Sequence, residues 1–146
     1  MREQFFFLPF KGKSFSIADI LDASSDDLQE IFRKQVEVQN VIALLKNVGL
    51  SYLKLGRTLD TLSGSELQRL KFVNFLKHHR KDKTKVLVLD EVTTGLHPKD
   101  VGQLITFLHQ LTAEGFTIIT VDHNPNLIAQ ADYNIDIGPG AGSDGG

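Results

Sequence analysis

The sequence predicts an α/β fold on a parallel sheet, from two apolar runs and the amphipathic helix between them. Val86-Leu87-Val88-Leu89 and Thr117-Ile118-Ile119-Thr120-Val121 are short and continuously apolar, the pattern of parallel strands covered on both faces by helices. Between them Val101, Leu104, Ile105, Leu108 and Leu111 recur at helical spacing, and Gly115 closes the segment. Strand, helix, strand is the start of a doubly wound pattern.

The remaining elements follow in chain order. The first ten residues are unusually apolar around Phe5-Phe6-Phe7-Leu8 and read as a strand or an arm. Residues 16–32 read as two short helices. Ile17, Ile20 and Leu21 share a face of the first, and either Ser24 or Ser25 can cap the second through its hydroxyl. Val38, Val41, Ile42, Leu45 and Val48 then mark a longer helix, with Gly49 where a left-handed C-terminal residue is wanted. No further strand is expected in this half. After the second apolar run, residues 124–131 read as a helix and 133–137 as a last strand. The glycine-rich stretch 138–146 reads as a flexible or truncated end. The change of character near residue 80 divides the chain into a helical part with an N-terminal arm, 1–80, and an α/β part, 81–146.

Composition narrows the function classes. A chain of 146 residues, 41% hydrophobic and 23% charged, has the make-up of a globular domain. With 16 Lys+Arg against 18 Asp+Glu, the formal net charge is -2. A stand-alone nucleic-acid binder is usually basic, so any DNA contact is local or made elsewhere in a longer protein. The basic run His78-His79-Arg80-Lys81-Asp82-Lys83-Thr84-Lys85 could touch a phosphate or simply serve as a solvated connector. There is no cysteine, which excludes disulfides and thiolate zinc sites from this chain. No apolar run is long enough to span a bilayer and no signal-peptide pattern occurs. A cytoplasmic location is expected, with no membrane partner.

Three places carry chemistry. Ser63 followed three residues later by Glu66 is a capping box, so a helix starts there. A helix start presents unpaired N–H groups and positive dipole to an anion, and Gly64 permits close approach. Alone, the same residues also make an ordinary capped helix. Leu89-Asp90-Glu91 puts two acids at the carboxyl end of an apolar strand, where open α/β sheets bind ligands. Asp90 can hold the waters around Mg²⁺, and Glu91 can orient and deprotonate an attacking water; solvated turn acids are the alternative. His123, following the second strand, would lie on the same sheet edge and could contact a terminal phosphate. The alternative is a surface histidine beside a helix capped by Asn124.

Together these residues resemble the ABC ATPases. Leu62-Ser63-Gly64-Ser65-Glu66-Leu67-Gln68-Arg69 resembles the signature motif, and residues 86–91 the Walker B strand with its catalytic glutamate. Thr93-Thr94-Gly95-Leu96-His97 resembles the D-loop and His123 the switch histidine. The spelling of residues 90–97, with Lys11-Gly12-Lys13, Ile17-Ala18-Asp19-Ile20-Leu21 and the stretch 132–139, is similar to the UvrA family of ABC excinucleases, from about Phe7 onward.

The resemblance implies a partial P-loop NTPase fold with a helical signature subdomain. It implies an ATP hydrolase of nucleotide excision repair that binds damaged DNA and works with other excinuclease subunits. ATP and Mg²⁺ are the implied cofactors, with no zinc in this chain. A second ABC module, in the same chain or in a homodimer, is the implied partner. On that pattern Glu91 and His123 are catalytic, Asp90 serves Mg²⁺ through water, and Leu62, Ser63, Gly64, Ser65, Glu66, Gln68, Gly95, Leu96 and His97 line the nucleotide. Ser63 to Ser65 would hold the γ-phosphate of the opposing module's ATP.

The departures are specific. Ser65 replaces the second glycine of the usual signature, Val92 the usual proline and Asp122 the usual glutamate. No G-x-x-x-x-G-K-[ST] sequence occurs in the chain. The expectation is therefore a fragment that is inactive by itself. A degenerate ABC-like regulatory or partner-binding module and the ATPase component of an ABC exporter are the competing readings.

Overall fold

The computed structural model describes residues 8–10, 13–79 and 85–137. Phe5-Phe6-Phe7, Lys11-Gly12, the centre of the basic run and the glycine-rich end lie outside the described residues.

Strands β1 (Leu8–Phe10) and β2 (Lys13–Phe15) pair antiparallel, with Leu8 opposite Phe15. The expected single strand or arm is thus a hairpin; three-residue strands are too short for alternation to show in the sequence. Helices α1 (Ile17–Asp22) and α2 (Ser25–Ile31) each begin with a reciprocal cap, Ser16 with Asp19 and Ser24 with Asp27. Of the two candidate caps, Ser24 is the one used, and Ser25 is buried inside the helix.

Helix α3 (Val36–Asn47) ends before Gly49, whose φ of 70° is the left-handed conformation that stops a helix. α3 serves two clusters: Ile42 packs with Ala23 and Leu28, while Leu44 faces the main core. A short turn over Leu59–Thr61 leads to α4 (Gly64–His79). Its buried stripe runs Glu66, Arg69, Phe72, Val73 and Leu76, so two of its inward positions are charged.

Strand β3 (Val86–Asp90), helix α5 (Pro98–Ala113) and strand β4 (Thr117–Val121) form the predicted parallel crossover. The strands run in register from Val86 opposite Thr117 to Asp90 opposite Val121. Leu87 and Leu89 point into the core with Val101, Leu104, Phe107, Leu108 and Leu111 of α5. Burial on this scale is the main driving force of folding. The core also takes in Val48, Leu50, Phe72, Val73 and Leu76, so residues from both halves of the sequence share it.

Two expectations are corrected. The strands are not covered on both faces, since Val86, Val88, Ile119 and Val121 remain 51–66% exposed. Both faces are apolar in composition, but among the described residues the core lies on one side. Residues 133–137 are not a strand either: the described sheet has two strands, and Tyr133, Ile135 and Ile137 are exposed. Apolar composition without a neighbouring backbone to pair with does not make a strand. The helix expected over 124–131 shrinks to α6 (Pro125–Ile128), capped by Asn124. No helix among the described residues is long and apolar enough to cross a membrane.

Candidate functional site

The site begins at the carboxyl end of the two parallel strands. The ladder closes with the Glu91 N–H donating to Val121 O at 2.7 Å. Glu91 therefore leaves β3 beside the residues that lead β4 into His123, on the same edge of the sheet as anticipated. Both side chains are exposed. Glu91 has φ 46°, making it the one non-glycine residue with positive φ among those described. Backbone in this region costs energy for a residue with a Cβ, and such strain concentrates at functional turns. Asp90 is exposed at the last position of β3.

From Glu91 the chain makes two successive turns, Thr94 N–H to Glu91 O at 3.1 Å and Leu96 N–H to Thr93 O at 3.1 Å. Gly95 takes φ 75° in the second. Leu96 then packs against the core, and His97 caps α5 by accepting the Lys99 N–H on Nδ1 at 3.3 Å. Thr94 Oγ1 lies 3.4 Å from Glu91 Oε2. Thr93 is buried, and its N–H and hydroxyl donate to Asp122 Oδ2 at 3.0 Å and Oδ1 at 2.6 Å.

The start of α4 stands against this turn. Ser63 N–H donates to Glu66 Oε2 at 2.7 Å and Glu66 N–H to Ser63 Oγ at 3.2 Å, the capping box read from the sequence. The Ser63 and Ser65 hydroxyls are 3.3 Å apart. A Cβ built on Gly95 would sit 3.4 Å from Ser65 Oγ, so Ser65 flanks the turn. Gln68 Nε2 donates to the carbonyl of Asp90, and Arg69 Nη1 to that of Thr94 at 2.8 Å. The helix start and the strand end are thus one connected unit. Leu62 is half-buried just before the cap, and Gly64 has open space around it.

Glu66 turns inward. Its Oε1 accepts the Tyr52 hydroxyl at 2.6 Å and Arg57 Nη1 at 3.3 Å. The Tyr52 bond first, then the Ser63 N–H, hold its carboxyl down at about 2 despite burial. Tyr52 responds in the opposite sense, its phenol raised by burial and by the carboxylate it donates to. Arg69 is buried to 2% exposure, and burial depresses its guanidinium against the pull of Tyr52, Glu66 and Asp100. Its Nε has no hydrogen-bond partner among the described residues.

Sequence reasoning passed over Tyr52, Arg69 and Thr93 as organisers of the site. It noted Asp122 only as a departure from a pattern. No local periodicity marks them, because each acts across 14 to 29 residues of chain.

An all-protein metal cage is absent among the described residues, with no group of three His, Cys, Asp or Glu able to hold an ion. The donors suit a different kind of ion. A single exposed carboxylate at a strand end fits a solvated Mg²⁺ that keeps its waters and takes phosphate oxygens as its other ligands.

No family model matches the chain. The chain is 44% identical over 139 residues to UvrABC system protein A of Mycoplasmopsis pulmonis, covering 95% of this chain and 15% of that protein. With UvrABC system protein A of Helicobacter pylori the figures are 44% over 140 residues, 95% and 15%. With that of Rickettsia bellii they are 42% over 139 residues, 95% and 14%. Among solved structures the chain is similar to UvrA2 from Deinococcus radiodurans, with a TM-score of 0.75 and 39% identity over 94% of this chain and 16% of that one. The chain spans about 15% of the length of the curated relatives it matches.

Proposed function

We propose that this chain, which belongs to the UvrA family along the segment it covers, is the signature and Walker B portion of an ABC-type ATPase module in a DNA-repair protein. The observation that carries this reading is the juxtaposition of Glu91 and His123 at the ends of adjacent parallel strands. In the proposed roles, Glu91 accepts the proton of an attacking water, and His123 contacts the terminal phosphate of the same nucleotide. Asp90 holds the hydration shell of Mg²⁺, which supplies charge neutralisation on the phosphates. The N–H groups at the start of α4, with the Ser63 and Ser65 hydroxyls, receive the γ-phosphate of a nucleotide held by a second module. Gly95, Leu96 and His97 approach that nucleotide from the turn.

Such a protein would bind damaged DNA, act with other excinuclease subunits, and work in the cytoplasm. Among the described residues the outer face of β3 and β4 is apolar and exposed, which supports reading this sheet as part of a larger core.

The test is Glu91→Gln in the intact protein that carries this chain. ATP turnover is expected to fall by at least about 100-fold with nucleotide affinity kept within a few-fold. Full turnover in that variant removes Glu91 from the role of base. One departure favours a regulatory module instead: Ser65 stands where the family's signature has a second glycine, its hydroxyl 3.3 Å from that of Ser63 at the helix start. An intact protein without ATPase activity would support that reading.

A further inference from the structure

We infer that Asp122 is the positioning residue that fixes Glu91 and His123 relative to each other. The inference rests on the ATPase reading above. The sheet itself stops one step short of the site: the last backbone bond between the strands is Glu91 N–H to Val121 O. Beyond it the two chains diverge, one into the turn 91–96 and the other into α6. Asp122 is the next tie between them. Oδ2 accepts the Thr93 N–H at 3.0 Å, while Oδ1 accepts the Thr93 hydroxyl at 2.6 Å and the Asn124 N–H at 2.9 Å. One carboxylate therefore grips the residue two beyond Glu91 and brackets His123 between its own backbone and that of Asn124.

The chemistry of the grip is specific. Every group facing the two oxygens in these contacts is a donor, so an ionised carboxylate satisfies all of them. Burial opposes the charge, but the bonds from Thr93, Asn124 and His123 outweigh it and leave the carboxyl below its usual range. An amide at this position would turn an NH₂ group toward a donor. Thr93 is 5% exposed, so solvent is a poor substitute for a bond lost at its hydroxyl. Glu91 opens the same turn two residues before Thr93, with the Thr94 N–H bonded to its carbonyl at 3.1 Å, so the anchor at Thr93 bears on where Glu91 sits. Misplacing a water-activating carboxylate by about 1 Å costs on the order of 100-fold in rate.

The experiment uses the intact protein and steady-state ATP hydrolysis, with kcat and KM measured separately. Asp122→Asn is expected to lower kcat about 10- to 100-fold, with KM within about threefold. Thr93→Val should reproduce that loss. Thr93→Ser, which restores the hydroxyl, should return kcat to within about threefold of the parent. In the double variant Asp122→Asn with Thr93→Val the losses should not multiply, because both remove the same bond. A kcat within twofold of the parent in Asp122→Asn would overturn the proposal, and so would multiplying losses. Should Asp122→Asn not fold, Thr93→Val against Thr93→Ser decides by the same criterion. An intact parent without ATPase activity fails the functional reading itself. A parent silenced by Glu91→Gln but untouched by Asp122→Asn fails this inference alone.

Discussion

The Tyr52 hydroxyl donates to Glu66 Oε1 at 2.6 Å, tying the loop after α3 to the first turn of α4. Through that bond a residue far from the strand ends helps hold the helix start in place. Glu66 in turn holds the Ser63 N–H, so the cap and the loop are braced by one carboxylate.

A pH dependence follows. The carboxyl of Glu66 is depressed to about 2 in the folded chain, below the value of about 4.3 for an unfolded glutamate. Its contribution to stability is therefore complete above pH ~4.5 and is lost as pH falls toward ~2. Thermal unfolding of the chain across that window should show a falling midpoint, and Glu66→Gln should flatten the slope. Tyr52→Phe should move the loss to higher pH and cost about 1 kcal/mol near neutrality, Tyr52 being half-exposed. An unchanged pH profile in both variants would show that Glu66 is not the group responsible.

Arg69 predicts a larger effect. It is the largest fully buried side chain among the described residues and supplies the bond to Thr94 O. Arg69→Ala leaves that carbonyl unpaired and opens a cavity, and should destabilise the chain by about 3 kcal/mol in urea unfolding. Amide exchange in the turn 93–96 should accelerate more than exchange in α5. Equal acceleration everywhere would mean that Arg69 supports the core in general and not this turn.

Two glycines should separate cleanly. Gly95 and Gly49 both have positive φ, 75° and 70°. A Cβ on Gly95 meets Ser65 Oγ at an ordinary 3.4 Å, whereas one on Gly49 meets Leu96 Cδ2 at 2.6 Å and Asp100 Cβ at 3.3 Å. Gly95→Ala should cost about 1 kcal/mol of backbone strain, and Gly49→Ala about 2 kcal/mol or more through added overpacking. The reverse order in thermal midpoints would contradict the packing described at Gly49.

Ser63→Ala removes one limb of the reciprocal cap and leaves the other, since the Ser63 N–H still reaches Glu66. A loss of about 1 kcal/mol is expected by calorimetry. No loss would mean that the Glu66 limb carries the cap by itself.

Much of this arrangement was legible in the sequence, where the signal was local. The periodicity of Val101, Leu104, Ile105, Leu108 and Leu111 located α5, and the Ser63–Glu66 spacing located the start of α4. The two apolar runs are β3 and β4, and placing Glu91 and His123 on one sheet edge required only that the strands be parallel neighbours. What the sequence concealed is long-range. Residues 133–137 have the composition of a strand, but pairing depends on a neighbour. The open outer face of the sheet depends on what packs there. Nothing local in the sequence marks the burial of Arg69 in α4, because its partners Thr94, Tyr52 and Asp100 do not adjoin it in the chain.

The backbone at position 91 has a further consequence. A left-handed turn after a strand is most comfortable for a residue with no side chain, and an acid stands there instead. On backbone grounds alone, glycine should fold at least as well at this position. A Glu91→Gly variant that holds its fold while losing turnover would separate what the carboxylate does from what the backbone tolerates.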